Sequence, residues 1–103
     1  MIGHLDDDNV KAIVDETFGE NAMPCCSPTH RLAHAAHRII TLEIRLAWPT
    51  VPPSQSVDTA VDKVWNSQRP THVKAVQSAL WRATWHARDA GYIDLRAGVR
   101  YHD

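Results

Sequence analysis

Apolar residues recur along the chain at helical spacing in four separate stretches. Val10, Ile13, Val14 and Phe18 follow one another at i, i+3, i+4 and i+8, which places them on one helix face. Asp6-Asp7-Asp8 precedes them with N-capping oxygens, and Gly19 follows as a stop that tolerates positive φ. A loop from Glu20 to Ser27 holds Pro24 and both cysteines. Ser27-Pro28 then reads as an N-cap with proline at the first helical position. Leu32, Ala35, Ile39, Leu42 and Leu46 form the second stripe, at alternating steps of three and four, and Ile40 and Ile44 widen it. This stripe suits either a core or a dimer seam. His30, His34, His37, Thr41 and Arg45 fall on the opposite face, and Trp48-Pro49 ends the helix.

Pro49 to Gln55 is the least helical stretch, and it reads as a connector inside one domain. Ser56 caps a third helix carrying Val57, Ala60, Val61, Val64 and Trp65, which Asn66-Ser67-Gln68-Arg69-Pro70 breaks. Thr71 caps a fourth, with a core stripe of Val73, Val76, Leu80, Ala83, Ala87 and Ala90 and a stop at Gly91. That stripe turns Lys74, Ser78, Arg82 and Asp89 outward. Trp81 and Trp85 lie roughly opposite it and are expected to be buried under the first helix or the C-terminal hairpin. From Tyr92 the period drops to two: Ile93 and Leu95, then Val99 and Tyr101, alternate with polar residues around a tight turn at Ala97-Gly98. The expected fold is α+β and mostly helical, four helices and a C-terminal hairpin in a single domain over 1–103. Its two parts are an N-terminal helix pair at 1–48 and a second part at 56–103.

Three groups of residues carry the second part: Thr71 to Leu80, then Ala90-Gly91-Tyr92-Ile93, then Arg96-Ala97-Gly98-Val99-Arg100-Tyr101. With this order the stretch 56–102 resembles a winged-helix DNA-binding domain. The resemblance implies a recognition helix entered through a short turn, and a hairpin wing with a basic tip. On that reading Gln68, Arg69, Thr71, His72, Lys74 and Ser78 would meet the major groove, where Arg69 suits guanine and Gln68 adenine. Arg82, Arg96 and Arg100 would hold phosphates.

Charge supports an anionic partner for this part. The formal net charge is only -1, yet residues 1–50 hold seven acidic side chains against four basic, and residues 63–102 hold seven basic against two acidic. Duplex DNA is therefore the favoured partner, for a small transcriptional regulator or accessory factor. The alternative is a protein-binding module on the same scaffold, a small inhibitor or adaptor of the kind a phage encodes to act on a host protein. Trp81 and Trp85 would be its contact residues, since aromatics beside arginine dominate interface hot spots. Solvent-exposed tryptophans would favour this alternative.

Other chemistry is thinly represented. Cys25, His30, His34 and His37 could converge on zinc, but the adjacent Cys25-Cys26 pair is a poor chelate, so no metal or other cofactor is expected. No complete catalytic motif is present, and a non-enzyme is the expectation. Two adjacent cysteines make no disulfide framework, and Met1 to Asp8 lacks the basic and apolar regions of a signal peptide. With no apolar run of ~18 residues for a membrane span, a cytoplasmic location is expected.

Overall fold

The computed structural model describes residues 5–19, 27–50, 54–94 and 100–101. They form four helices, α1 (Asp7–Phe18), α2 (Pro28–Ala47), α3 (Ser54–Asn66) and α4 (Pro70–Asp89), followed by two short strands, β1 (Ile93–Asp94) and β2 (Arg100–Tyr101).

Local chemistry explains most helix ends. Asp6 accepts from the Asn9 N–H at 2.9 Å, and Ser27 from the His30 N–H at 3.3 Å, each supplying an acceptor that the first turn lacks. Proline occupies the start of both α2 and α4. This moves the beginning of α4 to Pro70, so Thr71 lies inside the helix and is not its cap. Likewise α3 already runs from Ser54, two residues before the expected cap at Ser56. At the far end of α4, Gly91 adopts φ +83° while its N–H and that of Tyr92 bond back to Arg88 and Ala87.

Gly19 ends α1 by a different route from the one expected. Its φ is -69°, an ordinary value, and what excludes a side chain is space: a Cβ there would lie 2.7 Å from the Asp15 carbonyl oxygen. Gly19→Ala is therefore expected to cost about 1–2 kcal/mol, because backbone must shift to accept it. An unchanged thermal midpoint would show that the turn relaxes freely.

The long helices α2 and α4 share the largest interface, and α1 and α3 each pack on both. Glu16 pairs with Arg38 at 2.6 Å, whereas Leu5 meets Arg82 beside Glu43, so α1 and α2 run antiparallel. Val10 and Val14 of α1, Ala35, Ala36, Ile39 and Ile40 of α2, Val61 of α3 and Ala83 of α4 are fully enclosed. Leu32, Ala35 and Ile39 thus belong to the core and not to a dimer seam. The stripe leaves the core after Ile44, and Leu46 is 55% exposed.

On α4 the buried line is Ala79, Ala83 and Ala87; Val73, Val76 and Leu80 are half-buried and Ala90 is exposed. The expected stripe is therefore rotated toward the alanines, whose small side chains let α4 approach its neighbours closely. The same rotation carries Arg82 inward.

After α4 the chain turns so that Tyr92 stacks on Phe18, with ring centroids 5.1 Å apart, and its hydroxyl donates to Asp15 at 3.2 Å. Burial, then the Asp15 charge, then that hydrogen bond raise the Tyr92 pKa above 10.0. The neutral phenol is thus favoured in the folded state. Its contribution to stability is complete below pH 10.0 and is lost as pH rises through the folded-state value. Tyr92→Phe is expected to flatten the alkaline fall in melting temperature; an equally steep fall in this variant would contradict the assignment.

The strands pair antiparallel, Ile93 with Tyr101 and Asp94 with Arg100. A turn of only two residues at Ala97-Gly98 would instead pair Asp94 with Tyr101. The turn itself lies outside the described residues.

Candidate functional site

The connection between α3 and α4 is only Ser67, Gln68 and Arg69. The Ser67 N–H bonds to the Val64 carbonyl at 3.3 Å, and its hydroxyl accepts from the Arg69 N–H at 3.1 Å. This local turn positions Arg69 as the N-cap residue of α4, with no side-chain cap of its own. Gln68, Arg69, Thr71, Lys74 and Ser78, five of the residues expected to meet a ligand, are all exposed there. His72 is not among them: it is half-buried, and its Nδ1 is enclosed without a hydrogen-bond partner among the described residues.

Arg82 departs furthest from expectation. Its side chain is 15% exposed, and Nη1 donates to Glu43 Oε1 at 2.7 Å while Nη2 donates to the Leu5 carbonyl. Asp7 stands 3.9 Å away on the solvent side. A guanidinium held this way ties α1, α2 and α4 together and is not presented to a phosphate. Arg96 lies outside the described residues, and Arg100 is placed only by its pairing with Asp94 in the strands.

The solvent face of α4 carries the tryptophan pair beside Lys74 and Arg88. Lys74, Ser78, Trp81, Trp85 and Arg88 follow at steps of four, three, four and three, so they form one ridge. Trp81 is 63% exposed, correcting the expectation of burial, and Trp85 is half-buried beneath it. The two indoles meet edge to face with centroids 5.2 Å apart, and the Arg88 guanidinium lies 3.9 Å over the Trp85 ring. The cause is geometric: α1 packs on the Arg82 side of α4, so it does not reach across the ridge.

Two other surfaces stand out. His30, Ala33, His34, His37 and Trp65 line an open groove of about 370 Å³ between α2 and α3. His30 and His34 have ring centroids 6.3 Å apart, while His37 turns toward Asp62 at 3.6 Å and meets Trp65 edge-on. The three imidazoles therefore share a helix face without converging, and no three ligating side chains among the described residues are placed to hold a metal ion. Cys25, the fourth candidate, lies outside the described residues. At the end of α2, Leu46 and Trp48 are exposed together, Trp48 by 58%.

Compared with known protein families, curated protein sequences and solved structures, the chain matches none. No helix among the described residues is long and apolar enough to cross a membrane.

Proposed function

We propose that this chain is a non-enzymatic, cytoplasmic protein-binding module, a small inhibitor or adaptor, that recognises its partner through the α4 ridge on a winged-helix-like scaffold. The observation that carries this reading is the exposure of Trp81 on the Trp85–Arg88 pair. A large aromatic left in water costs solvation unless a partner covers it, and tryptophan beside arginine is the composition most often found where binding energy concentrates.

A second reading is sequence-specific binding of duplex DNA by Gln68, Arg69, Thr71, Lys74 and Ser78. The three-residue link from α3 to α4, of helix-turn-helix length, favours it. Three features weigh against it. Arg82 is engaged with Glu43, the carboxylate of Asp7 stands beside Arg82, and the exposed Trp81 follows Ser78 by one turn.

Anisotropy of a labelled mixed-sequence duplex separates the two readings, measured at about 50 and 200 mM salt, where phosphate-dependent binding changes steeply. The protein-binding reading predicts little association at either salt. Tight binding at low salt that Arg69→Ala weakens would replace it with the DNA reading.

A further inference from the structure

The charge pattern of the ridge narrows the kind of partner. We infer, resting on the protein-binding reading above, that the occupant is an acidic helical segment of another protein. Its apolar side chain sits on Trp81, and its carboxylates face Lys74 and Arg88.

Lys74 and Arg88 stand at the two ends of the ridge, fourteen residues apart, or about 21 Å at the helical rise. Lys74 is exposed and has no ion-pair partner among the described residues. Arg88 is partly satisfied: Asp89 accepts from its Nε and Nη2, at 3.3 and 2.8 Å. Nη1 has no partner among the described residues, and stacking on Trp85 holds the guanidinium plane in place. Arg69 adds a third cation beyond Lys74. Between these ends the ridge offers only Ser78 and the two indoles. The ridge is thus a cation, an apolar step and a second cation in a line, the complement of a helix with acidic residues flanking an apolar one.

One carboxylate lies at the ridge itself, Asp89, which pairs with Arg88 at its end. Asp7 borders α4 at Arg82, to the side of the ridge. The exposed Trp81 indole between the two cations, an apolar contact that a phosphate backbone does not answer, is what favours an acidic protein segment over duplex DNA.

The test is selection of displayed random peptides, about fourteen residues long to match the four-turn ridge, on the full chain and on variants whose thermal melts match wild type. The inference predicts enriched peptides of net negative charge around an apolar residue. Their binding should fall roughly thirtyfold or more in Trp81→Ala and roughly three- to tenfold in Lys74→Glu with Arg88→Glu, the size expected for two exposed charge contacts. Enriched peptides that need Trp81 but are neutral or basic would overturn the acidic occupant and leave the protein-binding reading standing. Enrichment indifferent to Trp81→Ala, or none at all, would overturn both. Duplex DNA binding abolished by Lys74→Glu would replace the acidic helix with a nucleic acid.

Discussion

Replacing Glu43 with alanine is expected to lower the stability of the fold by about 3 kcal/mol or more, in the range found when one member of a buried ion pair is removed. Glu43 and Arg82 have side chains only 9% and 15% exposed, and they meet at 2.7 Å. Without Glu43 the guanidinium keeps, among the described residues, the Leu5 carbonyl and the exposed, more distant Asp7, so a nearly buried charge loses its main counterion. Glu43→Gln retains an acceptor oxygen and should recover part of the loss. Replacing both partners with apolar residues, Glu43→Leu with Arg82→Met, is expected to lie much nearer wild type, because no orphaned charge remains. Urea denaturation of the three variants checks this. A loss below about 1 kcal/mol in Glu43→Ala would mean that water reaches the pair and screens it as at a surface.

Trp81→Ala is expected to behave in the opposite way, with large consequences for binding and small ones for the fold. Trp81 lies mostly in solvent and touches the protein chiefly through the edge contact with Trp85. Its removal should shift stability by no more than about 0.5–1 kcal/mol. A central aromatic anchor is worth about 2 kcal/mol or more of binding, roughly thirtyfold in affinity. Trp85→Ala should cost more stability, since Trp85 is half-buried. Comparing the melt and the peptide affinity of each variant separates anchor from scaffold. A Trp81→Ala protein that melts far below wild type would place Trp81 in the fold.

The helical architecture could be read from the chain because apolar periodicity and local end chemistry agreed. The line Val10, Ile13, Val14, Phe18 is buried as its spacing requires, and Ser27-Pro28 begins α2. Errors arose where two physical effects competed for one residue. Pro70 breaks α3 and also starts α4, and only the first role was assigned. At Gly19 a short approach to Asp15, and not positive φ, excludes a side chain. The alanines of α4 carry so little hydropathy that Val73 and Leu80 drew the stripe toward themselves, although close helix approach buries Ala79, Ala83 and Ala87.

The site was half legible. Lys74, Ser78 and the start of α4 were placed in solvent correctly, whereas Arg82 was not. The signal that could have corrected it was Glu43, a lone carboxylate among the apolar residues of α2 between Ile39 and Ile44. A buried carboxylate needs a cation, and the fourth helix had one at the right depth. For Trp81 no local pattern would have served, because its exposure depends on which side of α4 the first helix takes.

Four tryptophans, Trp48, Trp65, Trp81 and Trp85, report on three separate surfaces: the end of α2, the histidine groove and the α4 ridge. The most direct test of the central claim is therefore an NMR titration of the four indole N–H signals with a peptide selected on the wild-type chain. The account predicts that the Trp81 and Trp85 signals move together on binding while those of Trp48 and Trp65 stay in place. Movement of Trp48 or Trp65, with Trp81 and Trp85 unchanged, would contradict it and assign recognition to another face of the fold.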